Sequence, residues 1–312
     1  MNRIENQSVA VSQSPNNSYV FAKLPRTGLG NMMLVWARAM VFAYKHGLPV
    51  ITSSWTKIHW GVWLRREQKK RLYVRYFKKS KLGDQIGVQI RKLIYKVSEE
   101  RHINNNLTDR TVFVFSEVSI ERDLFGPIRD YRDFIAKAII DSLHPNILSL
   151  LEKQEIPQMA VHIRRGDFKL GNPITPTSFF IDLIKYVREV LEYPVSVTVF
   201  SDAEDHEIAD VLSLGSVKRA LPNPDIIDIL LMSKSKILVL SRSSSFSYWG
   251  AFLSDALIIK SEDDWQDDLR PQSVNAQYYE GKIRTENPES LLELGVALRR
   301  NKEYIIGKAG NN

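Results

Sequence analysis

The sequence contains no cysteine, and this absence excludes several classes of protein. Without thiols the chain cannot form a disulfide scaffold, a thiolate zinc site or a cysteine nucleophile. It also lacks an apolar run long enough to cross a membrane, and it lacks the charged start and apolar stretch of a signal peptide. We therefore expect a cytoplasmic protein.

The composition that remains is typical of a globular protein with a real core, since 44% of the 312 residues are hydrophobic and 25% are charged. Residues 1–17 are polar and rich in Asn, Ser and Gln, which predicts a disordered tail. Pro145 and Pro157 indicate a domain boundary near residue 155. We predict an N-terminal domain over residues 18–155 and a C-terminal domain over 156–312, with packing of the last helix back on the first domain as an alternative.

Positive charge is concentrated in residues 65–101, where 13 lysines and arginines face four acids, a surplus of +9 against +7 for the whole chain. Within this block, a predicted helix carries an apolar stripe that could pack on the domain. The block could instead form a surface patch for a membrane with anionic lipid or for a phosphate-carrying acceptor. Nucleic acid is a weaker alternative because the sequence contains no recognised nucleic-acid-binding module. The stripe consists of Ile86, Ile90, Leu93, Ile94 and Val97.

The chain opens with a βαβ pattern. A strand over residues 19–24 is followed by Gly28-Leu29-Gly30-Asn31, a helix over 32–45 that ends before Gly47, and a strand at 50–51. Glycines let the backbone approach a ligand, and the start of a helix offers free N–H groups to anionic or sugar oxygens. Because Met33 stands where a dinucleotide fingerprint needs a third glycine, a plain tight turn is the alternative.

The second half of the chain alternates strands and helices, which predicts a parallel sheet with helices on both faces and an α/β fold. Thr175 is predicted to cap a helix that carries Pro176 in its first turn. Strands are predicted at 158–163, 195–200, 237–240 and, as the last one, 256–259. An additional strand is predicted at 111–118, and further helices at 130–143, 146–154, 206–212 and 225–232.

Three of these strands end in polar residues, and the carboxyl ends of parallel strands are where such sheets bind ligands. Arginine suits a phosphate because its planar fork of donors matches two oxygens at once and stays charged. Strand alternation places His162 and Arg164 on one face and Arg165 on the other. A simple pairing of Arg164 with Asp167 is the alternative. The three strand ends carry, in order, His162-Ile163-Arg164-Arg165-Gly166-Asp167, Ser201-Asp202 and Ser243-Ser244-Ser245-Phe246.

These motifs resemble those of the α-1,2-fucosyltransferases of glycosyltransferase family 11, within the wider fucosyltransferase superfamily with its His-x-Arg-Arg-Gly-Asp motif. The chain departs from the family pattern at Met32, at Tyr248, which stands for a tryptophan, and at Gly250, which stands for an alanine. The matching segments are Gly28-Leu29-Gly30-Asn31-Met32, residues 161–167, Val199-Phe200-Ser201-Asp202 and Ser243-Ser244-Ser245-Phe246-Ser247-Tyr248-Trp249.

The resemblance implies a GT-B-like fold, with two Rossmann-like domains facing a cleft, and inverting transfer of fucose from GDP-fucose to a glycan hydroxyl without a metal or other cofactor. It implies that Arg164 holds the β-phosphate, that His162 supports the nucleotide side and that Asp202 lies near the guanosine. We predict Arg164 and Asp167 as the catalytic residues; the motifs identify no base, and Asp167 and Asp202 are candidates for that role by position alone. The remaining donor-binding residues would be Gly28, Gly30, Asn31, Arg165, Ser243, Ser244, Ser245 and Phe246.

The sequence is also compatible with functions other than fucose transfer. The phosphate-binding residues do not read the sugar, so the donor could be another nucleotide sugar, and a non-catalytic nucleotide- or glycan-binding protein could share the fold. The acidic run Glu262-Asp263-Asp264 is interpreted as a surface loop and not as a metal site. The acceptor is expected to be a glycan, with lipid-linked glycans included, which fits peripheral contact of residues 65–101 with the inner face of a membrane.

Overall fold

The computed structural model describes residues 17–55, 73–78, 82–103, 110–119, 121–166 and 174–307. The chain divides into two compact units, Met1–Glu121 and Arg122–Asn312. Each unit contains a parallel sheet with helices, so the predicted α/β class is confirmed. Apart from Asn17, the predicted tail lies outside the described residues. None of the helices in the described ranges has the length and hydropathy needed to span a bilayer.

The first unit contains a sheet of four parallel strands in the order β2-β1-β4-β3. Helix α1 begins at Leu29, so Gly30 and Asn31 lie in its first turn and not in the predicted loop. It ends before Gly47, as predicted, and Gly47 adopts the left-handed conformation with φ +62°. The elements are β1 Tyr19–Ala22, α1 Leu29–His46, β2 Val50–Thr52, α2 Leu82–Arg91, β3 Lys96–Glu99 and β4 Thr111–Phe115, with short 3-10 turns at Tyr73–Arg75 and Glu100–His102.

The apolar stripe predicted for the basic block is not a continuous helix face. Helix α2 ends at Arg91, and Val97 lies in β3, which pairs with β4. Among the side chains of α2 that the structure describes, residues 86–91, Val88 is buried, and it packs in a cluster with Tyr19, Phe21, Val112 and Val114. The prediction that the stripe packs on the domain is therefore wrong, because all five of its side chains are exposed, Leu93 at 87% and Ile94 at 71%.

The second unit contains a sheet of six parallel strands in the order β10-β9-β8-β5-β6-β7. The chain fills one side of β5 with β6 and β7, then crosses to the other side for β8, β9 and β10. The strands are β5 Met159–Ile163, β6 Val197–Ser201, β7 Val217–Arg219, β8 Ile237–Val239, β9 Leu257–Ser261 and β10 Glu280–Ile283. The helices are α3 Arg132–Ser142, α4 Pro145–Glu152, α5 Thr177–Leu191, α6 Ala209–Leu212, α7 Asp225–Lys234, α8 Ser245–Phe252, α9 Gln272–Gln277, α10 Pro288–Arg300 and α11 Lys302–Ile306.

Two details of this unit correct the prediction from sequence. Residues 256–259 are not the last strand, because β10 follows and pairs with β9. Thr175 does not cap α5, which begins at Thr177, since its Oγ1 instead accepts a hydrogen bond from the amide of Arg242 at 3.1 Å. The last two helices contribute Leu294, Leu298 and Ile305 to the core of this unit.

The division after Glu121 differs from the boundary expected near residue 155, because residues 122–155 pack on the second unit. The guanidinium of Arg132 donates to the carbonyl of Phe252 at 2.8 Å and to that of Leu253 at 3.2 Å. The ring of Phe125 lies 5.3 Å from that of Trp249. The two prolines that suggested a boundary therefore lie within one unit, Pro145 at the start of α4 and Pro157 between α4 and β5.

A buried charge cluster ties β9, β10 and the segment between them together. Glu280 accepts from Lys260 Nζ at 2.9 Å and from the amide of Leu269 at 2.8 Å, and it lies 3.4 Å from Arg270 Nε. Arg270 also donates to the carbonyl of Ala256 at 2.8 Å. Burial disfavours the Glu280 carboxylate, but Lys260 and Arg270 outweigh it and hold its pKa below the ordinary value.

Removing this carboxylate tests the cluster. Glu280→Ala leaves two cations buried without their common partner, so we expect the free energy of unfolding to fall by about 3–5 kcal/mol in a urea titration. Glu262→Ala is the matched control, because Glu262 pairs with Arg284 at 3.3 Å on the surface. Its cost should be about 0–1 kcal/mol, and an equal cost for both variants would contradict this account.

Candidate functional site

The strand order creates a switch point at the carboxyl ends of β5 and β8. These strands are neighbours, yet the chain leaves them toward opposite sides of the sheet. Open α/β sheets bind ligands at such a point, since the connections diverge and leave a crevice. The polar segments predicted from sequence follow β5, β6 and β8 and therefore meet at this edge.

The carboxylate of Asp202, after β6, holds the two arginines that follow β5. It accepts from Arg164 Nη1 at 2.7 Å and from the amide of Arg165 at 2.8 Å. Asp202 is thus a partner of Arg164, while Asp167, the partner considered from sequence and a proposed catalytic residue, lies outside the described residues. The Arg164 and Asp202 side chains remain 25% and 32% exposed, so a ligand can reach them.

The position of the Asp202 carboxylate leaves room only for glycine at residue 166. A Cβ at this position would lie 2.2 Å from Asp202 Oδ2, so any larger residue would displace the carboxylate. The glycine of the Arg-Arg-Gly motif therefore serves the ion pair beside it.

Two serines that were not predicted as site residues fix the end of β5. Ser241 Oγ accepts from the amide of Arg164 and donates to the carbonyl of His162, both at 2.8 Å. Ser201 Oγ donates to the carbonyl of Ile163 at 2.7 Å. Each serine directly follows or ends an apolar strand, and that position is the sequence signal that could have identified it.

Arg165 has a different environment from Arg164. Its side chain is buried, and its Nη1 donates to the carbonyl of Arg164 at 3.0 Å. Burial lowers its pKa, while the charges of Glu207 and Asp202 oppose that shift. As predicted, the two arginines have different surroundings: the side chain of Arg164 is partly exposed, and that of Arg165 is buried. Through its bond to the carbonyl of Arg164, Arg165 supports the backbone at Arg164.

His162 is buried in β5 and packs against Phe246, with ring centroids 5.5 Å apart. Burial and the charge of Arg164 lower the pKa of His162 to about 3, so its imidazole is neutral. Within the described residues, its Nδ1 is buried without a hydrogen-bond partner. The structure thus brings His162 and Phe246, two predicted donor-binding residues, into contact.

The serine-rich loop after β8 leads directly into α8. Ser244 is the N-cap residue and Ser245 begins the helix, so the first N–H groups of α8 lie in this segment. Such groups, with the helix dipole, favour anions. The hydroxyl of Ser243 already accepts from Trp265 Nε1 at 2.8 Å.

Arg242 adds a cation to this loop that was not predicted as a site residue. Its Nη1 lies 3.6 Å from Asp263 Oδ2, and its side chain is 28% exposed. Its Nε is buried and has no hydrogen-bond partner among the described residues. The loop after β8 thus presents positive charge as well as amide groups.

The acidic run after β9 is only partly the surface loop that the sequence suggested. Asp263 is exposed, but Asp264 is buried, and its Oδ1 accepts from Tyr248 Oη at 2.5 Å and from the amide of Gln266 at 3.1 Å. Across the described ranges, no cluster of three or more His, Asp or Glu side chains could hold a metal ion.

The predicted residues Gly28, Gly30 and Asn31 belong to the first unit. Gly28 is the N-cap residue of α1, with an extended backbone at φ −66°, and Gly30 is buried inside the helix. Asn31 is partly exposed in the first turn. As predicted, the turn leads from a parallel strand into a helix start.

Comparison with known proteins gives similarities of sequence and of fold. No curated protein sequence matches the chain. The fucosyltransferase NodZ from Bradyrhizobium is 12% identical, with a TM-score of 0.46 over 76% of this chain and 93% of that one. POFUT1 in complex with GDP-fucose is 14% identical, with a TM-score of 0.49 over 79% and 96%. A mutant of Arabidopsis thaliana FUT1 in complex with GDP is 13% identical, with a TM-score of 0.44 over 82% and 73%.

Residues 125–281, just over half of the chain, match the sequence family Glycosyl transferase family 11. The matched segment contains β5, β6 and β8, and with them every residue at the switch point described above. The protein is therefore a glycosyltransferase. It belongs to glycosyl transferase family 11, the family that the sequence motifs resemble.

The neutral state of His162 predicts a pH dependence of stability. The pKa is about 3 in the folded protein and 6.5 ordinarily, so the unfolded chain binds more protons between these values. The contribution of His162 to stability is therefore complete above about pH 6.5 and is lost as the pH falls toward 3.

We expect the free energy of unfolding to fall more steeply over this window in the wild type than in His162→Gln, by at most about 1.4 kcal/mol per pH unit. Urea titrations at several pH values measure the difference. His206→Gln, which changes an exposed histidine of the same unit, is the control. Equal slopes for the wild type and His162→Gln would contradict a neutral, buried His162.

Proposed function

We propose that this protein is an inverting, metal-independent fucosyltransferase that moves fucose from GDP-fucose to a glycan hydroxyl and forms an α-1,2 linkage. The observation that carries the proposal is the position of Arg164. Its guanidinium lies at the switch point of a family 11 sheet, partly exposed and paired with Asp202. The loop after the neighbouring strand β8 carries the side chain of Arg242 and leads into the amides at the start of α8.

The proposed role of Arg164 is to bind the β-phosphate of the donor. When the bond between fucose C1 and the β-phosphate oxygen breaks, negative charge develops on the leaving GDP. A fixed guanidinium and helix N–H groups stabilise that charge where it forms. Arg165, Ser201 and Ser241 would act on Arg164 by fixing its backbone and not by contact with the donor.

The acceptor hydroxyl would attack C1 from the face opposite GDP, which inverts the configuration, and would pass its proton to a carboxylate. Asp167 and Asp202 are the candidates, Asp167 from its place in the motif and Asp202 from its exposed carboxylate at the site. Arg164 would already have exchanged Asp202 for the phosphate when the donor bound, and this exchange would free Asp202 either for the proton or for the guanine base.

Two alternative functions differ from this proposal, one in the donor sugar and the other in the absence of catalysis. The residues proposed to bind the phosphates do not distinguish the sugar that the donor carries, so they would also suit the diphosphate of another nucleotide sugar. Transfer from another nucleotide sugar is therefore the nearest alternative. A non-catalytic binding protein of the same fold would bind the nucleotide without breaking the bond at C1.

Calorimetric titration with GDP, GDP-fucose, GDP-mannose and UDP-glucose in the presence of EDTA tests the donor. We expect saturable binding of GDP and GDP-fucose by the wild type. Arg164→Lys replaces a two-pronged donor with a point charge, so we expect a Kd for GDP at least about tenfold higher and almost no release of GDP from GDP-fucose.

Arg188→Lys is the matched control, since Arg188 binds only the carbonyl of Val195 in the described structure, away from the switch point. An Arg164→Lys variant with wild-type affinity and donor turnover would overturn the role of Arg164. Binding of UDP-glucose without GDP would replace the proposed donor.

We also propose that the acceptor is a lipid-linked glycan reached at a membrane surface. The support comes from the first unit, where Ile90, Leu93 and Ile94 are exposed beside the basic side chains of Arg91 and Lys96. Arg91 is positioned by the ring of Tyr19, 5.1 Å from its guanidinium. Apolar side chains with flanking cations are the composition that binds anionic bilayers peripherally. The proposal includes a cytoplasmic location at the inner face of a membrane.

Vesicle flotation tests this surface. We expect the wild type to float with vesicles that contain phosphatidylglycerol and much less with phosphatidylcholine alone, and to be released by salt, which screens the charges. Leu93→Glu should abolish flotation. Leu221→Glu is the control, because Leu221 is 72% exposed and belongs to the second unit, outside residues 65–101. No flotation of the wild type at low salt, or equal loss in both variants, would contradict the proposal.

A further inference from the structure

Ser243 has a backbone conformation that its neighbours must hold in place. It lies between β8 and α8 with φ +57°, in the left-handed region. Residues with a Cβ adopt this region at a cost in free energy, so they persist there only when surrounding contacts favour it. The next two residues, Ser244 and Ser245, are the N-cap and the first residue of α8. The conformation of Ser243 therefore sets the direction of the amides at the start of the helix.

A buried brace holds this turn. The amide of Ser243 donates to Tyr248 Oη at 2.8 Å, and Tyr248 Oη donates to Asp264 Oδ1 at 2.5 Å. Tyr248 is 0% exposed and Asp264 2% exposed. From the other side, Trp265 Nε1 donates to the hydroxyl of Ser243 at 2.8 Å.

The hydroxyl of Tyr248 can donate one hydrogen bond and accept another at the same time, as its two contacts require. Burial and the charge of Asp264 raise the pKa of Tyr248, so its hydroxyl keeps its proton and can donate to the carboxylate. Its oxygen then accepts from the amide of Ser243. A tryptophan, the residue of the family motif at this position, has an N–H that only donates and could not accept from that amide. The brace therefore depends on the tyrosine that this chain has in place of the tryptophan of the motif.

We propose that Tyr248 and Asp264 are positioning residues for the pyrophosphate of the donor. The brace holds Ser243 in the left-handed turn, and the turn aims the amides at the start of α8 and the side chain of Arg242 at the phosphates. Neither Tyr248 nor Asp264 contacts the donor. The inference rests on the proposed function, since it assumes that the site binds a nucleoside diphosphate.

Tyr248→Phe removes one hydroxyl and keeps the ring that packs on Phe125. We expect its Kd for GDP, measured by calorimetry, to rise about tenfold, because a looser turn no longer holds the phosphate-binding amides in place. Tyr186→Phe is the matched control. It deletes another bonded tyrosine hydroxyl of the same unit, which donates to the carbonyl of Leu291 at 2.5 Å, and it should leave the Kd unchanged.

A second pair of variants separates positioning from general destabilisation. Ser243→Gly and Ser243→Ala both remove the hydroxyl that Trp265 binds, but only glycine adopts the left-handed region without strain. In the Tyr248→Phe background we therefore expect Ser243→Gly to restore part of the affinity for GDP, and Ser243→Ala to lower it further.

The outcomes are distinguishable. A wild type that does not bind GDP overturns the proposed function and this inference with it. A wild type that binds GDP, with a Tyr248→Phe variant that binds equally well, overturns the inference alone. The same holds if Tyr186→Phe weakens GDP binding as much as Tyr248→Phe, or if glycine restores no more affinity than alanine.

Discussion

The contact between Asp202 and the two arginines after β5 is the interaction on which the candidate site depends. One carboxylate accepts from the side chain of Arg164 and from the backbone of Arg165, so it fixes both the charge and the chain that carries it. The strand order makes the contact possible, because it places the ends of β5, β6 and β8 side by side. Ser241 secures the same chain from the β8 side. The phosphate-binding role assigned to Arg164 needs all three strands.

The ion pair also explains how the site could accept a charged ligand. A partly exposed pair contributes little to stability, because water screens the two charges and competes for their hydrogen bonds. A pyrophosphate offers Arg164 more negative charge and two oxygens in the geometry of its fork. Exchange of one partner for the other is therefore inexpensive, and it would release Asp202 at the moment when the donor arrives. The buried cluster around Glu280 is the opposite case, since its charges have no access to water.

Long apolar runs allowed the central strands to be predicted from sequence, and the motifs at their ends identified most of the proposed site. The edge strands β3, β7 and β10 were missed because each is only three or four residues long and carries charged residues, so neither length nor alternation marked it. The start of α1 was placed three residues late, since glycine disfavours helices in isolation while the packed helix tolerates Gly30.

Tertiary contacts account for the rest of what the sequence did not reveal. Asp264 stands in an acidic run typical of a surface loop, and only the fold places the hydroxyl of Tyr248 against it. The exposure of Leu93 and Ile94 could not be predicted either, because it depends on where α2 ends and on the pairing of β3 with β4. Ser201 and Ser241 act through bonds between strands that are distant in sequence.

A crystal structure of the protein with GDP, grown in the presence of EDTA, would test the central claim most directly. The account predicts that the β-phosphate lies at the carboxyl ends of β5 and β8, within hydrogen-bonding distance of the Arg164 guanidinium and of amides at the start of α8, with Arg164 no longer paired with Asp202. GDP bound elsewhere, or Arg164 still paired with Asp202 and distant from the phosphates, would contradict it.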